Sequence, residues 1–144
     1  MSGTDALTPA GQYTSARLHG GFVLTAGMTP KDADGLLARG RVGEEVTSRE
    51  ARHLTFRATE RALRAAEEAA GRASQRVADI VTLTVYLAAG EEFTAHSTVA
   101  DGASEAILAW KPTSVLPARV TVGVASLPGG SPVEVQLVAA VTDR

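Results

Sequence analysis

The sequence predicts an α+β domain in which one mixed β-sheet carries two helices on one face. Three observations lead there. Short stretches rich in β-branched residues, bounded by Gly and Pro, alternate with two longer segments of helical periodicity in the order β-β-α-β-α-β-β. Strands interleaved with helices in this way make one covered sheet. The 144 residues suit a single core, and no linker, repeat or low-complexity tract divides them. One domain over residues 1–144 is therefore expected, with 1–10 as a frayed lead-in.

The elements follow in order. Gln12 to Leu18 reads as a first strand, Gly20-Gly21 as a tight turn, and Phe22 to Thr25 as a buried second strand. Gly27 marks either a close approach of backbone to a ligand or a bulge or turn. Residues 31–43 read as a loop with a turn at Asp34-Gly35. Thr47 and Glu50 have capping-box spacing, so a helix should run from Ser48 to Ala70 and stop at Gly71. Leu54, Ala58, Ala62, Ala65 and Ala69 give it a narrow apolar stripe, while Arg57, Arg61 and Arg64 with Glu60, Glu67 and Glu68 read as its wet side. Val77 to Leu87 is a nearly continuous apolar run, expected of a strand covered on both faces. A second helix should begin near Glu91, with Phe93, Ala100, Ala103, Ile107 and Trp110 on one face. Gly102 threatens a break in it, and Pro112 stops it. The C-terminal quarter reads as a hairpin: Arg119 to Val124, a Pro128-Gly129-Gly130 turn, then Val133, Val135, Leu137 and Ala139 alternating with Glu134, Gln136 and Val138. That alternation puts Glu134 on the opposite face from Val133 and Val135.

Composition narrows the function classes. A net charge of −2 without long Lys/Arg runs, and 4% aromatics, leave no evident nucleic-acid footprint. There is no cysteine, hence no disulfide framework or thiolate metal site. His19, His53 and His96 lie far apart, without the close pairing of a zinc-binding helix, so no metal is expected. No nucleotide-binding glycine fingerprint is present, and Leu127-Pro-Gly-Gly is a turn rather than a phosphate cradle. No apolar run long enough to span a membrane occurs, and the first residues lack a secretory signal, so a cytoplasmic protein is expected.

Two charges stand out in the apolar C-terminal quarter. Arg119 offers a planar fork that matches a carboxylate, and Glu134 can take a proton from water. From spacing alone, a structural ion pair or a solvated face is the more ordinary reading of the same residues. Around them, Pro117-Ala-Arg119-Val-Thr121-Val-Gly-Val-Ala-Ser-Leu127-Pro128 and Val133-Glu134-Val-Gln-Leu-Val-Ala139 resemble the C-terminal signature of the RidA (YjgF/YER057c/UK114) family of enamine/imine deaminases. Gly11-Gln-Tyr13-Thr-Ser, Phe22-Val-Leu-Thr-Ala26-Gly27-Met28-Thr-Pro30 and Ile80 to Leu87 are similar to upstream family motifs in the same order. The resemblance runs from about Gly11 to Val141.

That resemblance implies a homotrimer of RidA-like, chorismate mutase-like subunits with active sites in clefts between neighbours. It implies that Arg119 holds a substrate carboxylate and that Glu134, 15 positions on, positions or activates water. Tyr13, Gly27, Ser97 and Thr121 would line the pocket. The implied activity is hydrolysis of a 2-imino acid, of the 2-aminoacrylate type or bulkier, to a 2-oxo acid and ammonia, with no cofactor. The chain departs from the family where Ala26 stands for serine, Met28 for glutamine, Ser97 for asparagine and Ala100 for tyrosine, and the 98–118 connector is longer. A more apolar pocket is expected, and with it a different or bulkier substrate or a weakened activity. A non-catalytic trimer that binds small carboxylates and regulates a partner, or a tailoring enzyme acting on a pathway intermediate, are the alternatives.

Overall fold

A pair of left-handed glycines makes the first turn. Gly20 and Gly21 have φ of 59° and 87° and join β1 (Ala16–His19) to β2 (Phe22–Thr25) as a two-residue antiparallel hairpin. The computed structural model describes residues 7–144, so residues 1–6 of the lead-in expected over 1–10 lie outside the described residues. Where a loop was expected after β2, Lys31–Asp32 (β3) and Gly35–Leu36 (β4) form a small separate hairpin. Asp32 Oδ1 accepts from Asp34 N–H at 2.8 Å and braces that turn.

Helix α1 (Ser48–Arg72) begins as its cap dictates, with Thr47 Oγ1 accepting from Glu50 N–H at 3.1 Å. Its stripe of Leu54, Ala58, Ala62, Ala65 and Ala69 is buried. The helix passes Gly71 and the left-handed residue beyond it is Ser74, with φ 57°, so the expected glycine stop is not the one used. Arg61 is also buried, at 6% exposure, and does not belong to the wet side. Helix α2 (His96–Trp110) starts later than expected, because 90–93 close a turn through Phe93 N–H and Gly90 O. Gly102 does not break it. A Cβ there would lie 2.0 Å from the Arg52 carbonyl oxygen, so glycine is what lets α1 and α2 cross so closely.

The main sheet has five strands in the order β1-β2-β7-β5-β6. Here β5 is Gln75–Ala88, β6 is Ala118–Val124 and β7 is Val133–Asp143. The expected C-terminal hairpin does not form. β6 runs parallel to β5 on one side, and β7 runs antiparallel to β5 on the other. The connection through the short 3-10 turn at Pro128–Gly130 carries the chain past the end of β5 instead of folding β7 back on β6. Both helices lie on one face, packed over Leu83, Val85, Leu87, Val133, Val135, Leu137 and Ala139. β5 is accordingly covered on one face within the chain, not on both: Thr82 is exposed, and Thr84 and Tyr86 only half-buried. The uncovered face is apolar, with Leu24 47% and Val120 58% exposed beside Phe22 and Val122. Among the described residues no helix is long and apolar enough to cross a membrane.

Candidate functional site

Glu134 sits in β7 opposite Tyr86 of β5, flanked by the fully buried Val133 and Val135. Its side chain therefore leaves the face opposite the helices, as the alternation demands. Met28 pairs with Val135, its N–H donating to Val135 O at 2.7 Å, and this draws Gly27 up to Glu134. A Cβ on Gly27 would lie 2.5 Å from Glu134 Oε1 and 2.7 Å from its Cδ. Gly27 is thus neither a bulge nor a left-handed turn; it is the place where only a bare backbone lets the carboxylate lie down. Burial pushes the Glu134 carboxyl above its ordinary value of 4.5.

A pocket of about 60 Å³ opens beside this carboxylate, lined by Tyr13, Gly27, Met28, Lys31 and Arg61 among others. It has room for a few waters, well short of the several hundred Å³ of a typical ligand site. Tyr13 reaches it from the segment ahead of β1. It is 53% exposed rather than a core tyrosine, and its hydroxyl accepts from Ala10 N–H at 3.3 Å. Ala26 and Met28 line the same pocket, but Lys31, Arg61, Ser15 and Glu134 share it, so it is not the apolar cavity that their substitution for polar residues led one to expect. Ala100, by contrast, is fully buried in the core and lines no pocket wall here. Arg61 reaches in from α1 and donates from Nη1 to Thr29 O at 2.8 Å. Its place was readable after all: it lies three residues from Ala58 and four from Ala65, within the buried stripe.

Arg119 occupies a second locus. It stands on the edge strand β6, in register with the buried Leu83, and so points to the helix side. There its Nη1 donates to Asp101 Oδ1 and to Ser104 Oγ, each at 3.0 Å. Its Nη2 donates to Ser97 Oγ at 2.9 Å and to Ser97 O at 3.3 Å. Ser97, Asp101 and Ser104 are spaced four and three apart, one polar edge of α2 turned to β6. Thr121 follows on the same strand face, in register with Val85. His96 lies over Gly123, where a Cβ would come within 2.9 Å of Nε2, and meets Phe93 edge-on at 5.2 Å between ring centroids.

The expected pairing of Arg119 with Glu134 is not made within one chain. Their β5 register partners are Leu83 and Tyr86, an odd number of residues apart with no irregularity between them, so the two project from opposite faces of the sheet. The chain brings Tyr13 and Gly27 to Glu134, and Ser97 and Thr121 to Arg119. Asp101 and Ser104 were missed, although their spacing from Ser97 on a helix was the available signal.

The comparisons agree with this architecture. A family model described as endoribonuclease L-PSP matches residues 3–141. Protein TCP17 of Trypanosoma cruzi is 35% identical over 131 residues, covering 90% of this chain and 81% of that protein. Among solved structures, a candidate endoribonuclease from Shewanella oneidensis superposes with a TM-score of 0.87 at 25% identity, covering 97% of this chain and 91% of that one. The YjgF gene product of E. coli superposes with a TM-score of 0.58 at 25% identity, over 96% and 93% of the two chains. A family match over nearly the whole length, on a sheet and helix pair of the same design, makes this chain a member of the endoribonuclease L-PSP (YjgF/RidA) family.

Proposed function

We propose that the chain is a hydrolytic enamine/imine deaminase whose working site joins the Glu134 locus of one copy to the Arg119 locus of another. The observation that carries this is Glu134 itself: a half-buried carboxylate laid over Gly27, beside a pocket sized for water, with its proton affinity raised by burial. A carboxyl moved toward the working pH is suited to taking a proton from a water and returning it. Water held there adds to the electrophilic carbon of an imine. The new C–O bond forms as the C=N π electrons move to nitrogen, which takes up a proton. The carbinolamine then expels ammonia and leaves the carbonyl product. The reaction has a low intrinsic barrier, so placing the water and dispersing charge are what the protein must supply.

Arg119 is the proposed anchor for the substrate carboxylate. Its projection from the other sheet face means that one small molecule touching both residues needs two chains. The apolar face bearing Phe22, Leu24, Val120 and Val122 supports such an association, and a homotrimer is the arrangement we propose. The word endoribonuclease belongs to the family description; a net charge of −2 and 4% aromatics give this chain little with which to hold phosphates or stack bases.

The test supplies 2-iminopropionate or a bulkier 2-imino acid from an amino-acid oxidase and follows loss of the imine. Wild type should exceed the uncatalysed rate, and Arg119→Ala and Glu134→Gln should not. Equal rates for all three and buffer, on every imine tried, remove the deaminase reading. Binding of 2-oxo acids without turnover would select a carboxylate-binding regulatory protein instead.

A further inference from the structure

The pocket beside Glu134 does not end at its own walls. At about 60 Å³ it takes only the reacting end of a substrate. Two of its residues, Lys31 and Arg61, also line an open groove of about 340 Å³ along the exposed side of α1, together with Arg57, Glu60, Arg64 and Glu67. That volume lies in the range of small-molecule sites. The chain pins the junction from two sides: Met28 N–H donates to Val135 O, and Arg61 Nη1 donates to Thr29 O at 2.8 Å. Leu37 N–H, donating to Pro30 O at 3.0 Å, then closes the small hairpin on which Lys31 stands half-buried. Four cations meet two carboxylates in the groove. Arg57 pairs with Glu60 at 3.3 Å, but both side chains are exposed, and such a pair is weak enough to exchange for a ligand. Lys31 has no carboxylate within ion-pair distance among the described residues.

We propose that this groove is an anion-binding subsite of the Glu134 locus, with Lys31 as its specificity-determining residue, and that the preferred substrate is a 2-imino acid whose side chain ends in a second carboxylate. This rests on the reading of Glu134 as the hydrolytic group and adds what the substrate carries. The first carboxylate is held by Arg119 of another copy, and the imine carbon lies at the Glu134 water. The side chain then leaves the small pocket past Lys31, and its terminal carboxylate meets the ammonium at the head of the groove. Association of copies through the sheet face away from the helices leaves this side of α1 open. A lysine ammonium is a compact charge on a flexible stem, so it can follow a side-chain carboxylate without a fixed fork. A neutral side chain of equal length gains no such attraction and strips water from the cations instead.

Turnover of 2-iminoglutarate and of 2-iminohexanoate by the full-length protein tests the assignment, since the two are similar in length and differ in the terminal charge. Wild type should show the higher kcat/KM for 2-iminoglutarate. Lys31→Gln should lower the ratio of the two kcat/KM values by about fivefold, the upper end for an exposed ion pair, with the change in KM rather than kcat. Lys31→Arg keeps the charge and should keep most of the preference. Calorimetric titration with 2-oxoglutarate and 2-oxohexanoate reads the same ratio in binding, without turnover. Thermal melting verifies that each variant is folded, and should Lys31→Gln not fold, Lys31→Met provides the same loss of charge.

A wild type that favours the neutral imine, a ratio unmoved by Lys31→Gln, or a fall as large in Lys31→Arg as in Lys31→Gln each overturns the proposal. Its failure is distinct from that of the wider reading. Turnover of both imines that needs Glu134, with a ratio indifferent to Lys31, removes the subsite alone. If neither imine is turned over, the deaminase reading falls and the titration still decides the subsite. Lys31-dependent preference for 2-oxoglutarate over 2-oxohexanoate then supports it, and equal binding overturns it.

Discussion

Arg119 and Glu134 lie on the last two strands of one sheet, and the fold treats them in opposite ways. Arg119 is met by donors' partners prepared for it: Asp101, Ser104 and Ser97 close around the guanidinium on the helix side. Glu134 is laid on a bare glycine backbone on the other side, and burial raises its carboxyl above the ordinary value. A charge matched by its own chain is held in one place. A desolvated carboxyl keeps its proton to higher pH than a hydrated one, which suits a group proposed to transfer protons. On the proposed function, the difference would separate a locus that holds the substrate from one that reacts with it.

Exchanging copies is the sharpest way to break that comparison. Arg119→Ala and Glu134→Gln should each abolish most turnover, with Glu134→Gln costing about a hundredfold to ten-thousandfold in kcat as loss of a proton-transfer group does. If the two loci meet only between copies, mixed oligomers of the two variants regain sites with both residues intact, about a quarter of all interfaces in a random mixture of ring-forming subunits. Imine turnover after co-refolding is the readout. Recovery to that level supports a site shared between chains, and none at all in oligomers proven to be mixed would falsify it.

Two glycines carry the same contrast into stability. Gly102 stands behind the Arg119 locus, next to Asp101, where α2 meets the α1 backbone. Gly102→Ala would press a methyl to 2.0 Å from the Arg52 carbonyl oxygen, and neither backbone can yield cheaply. A loss of about 3 kcal/mol in unfolding free energy is expected, at the upper end of overpacking costs, and urea titration measures it. Gly27→Ala instead meets the end of the flexible Glu134 side chain, at 2.5 Å from Oε1. The carboxylate can swing away, so stability should fall by less than about 1 kcal/mol while kcat drops by roughly tenfold or more, since misplacing a catalytic group by about 1 Å is expensive. If Gly27→Ala unfolds the chain as readily as Gly102→Ala, the two loci are not distinguished in this way.

The sheet's open face supplies a further test. Val120→Asp puts a charge where an apolar residue is 58% exposed. If copies associate through this face, light scattering should show the oligomer falling to single chains while the isolated fold survives. An unchanged mass would place the association elsewhere.

Much of this architecture was legible because it rests on local rules. The Thr47 cap, the alanine stripe of α1, the Gly20-Gly21 turn and the alternation around Glu134 all follow from short-range sterics and period. What was not legible depends on partners distant in sequence. β6 and β7 follow one another and carry good strand residues, yet β5 takes both as neighbours, and only the competition among strands for the centre of the sheet decides that. The same hidden pairing sets Arg119 and Glu134 on opposite faces. Gly102 looked like a helix breaker because its role, admitting the α1 backbone, is not a property of α2. Arg61 looked wet because arginine usually is. Its position among Ala58, Ala62 and Ala65 argued otherwise.

The smallest expected effect concerns pH and bears directly on the Glu134 half of the comparison. Because its carboxyl binds a proton more tightly when folded, the native state holds more protons than the unfolded chain between the ordinary value of 4.5 and the raised one. Wild-type stability should therefore lose ground as pH climbs through that window, with the contribution complete below it and no further change above. Glu134→Gln cannot titrate and lacks this loss. The difference in urea midpoint, variant minus wild type, should grow from pH 4.5 upward and then level off. Glu45, whose carboxyl is lowered by the hydrogen bond from the Arg41 N–H, titrates in both proteins and cancels in that difference. Parallel curves across the range would mean that the Glu134 carboxyl is as well hydrated folded as unfolded. In that case nothing in the protein has moved it toward the proton transfer proposed for it, and the contrast with Arg119 loses its chemical meaning.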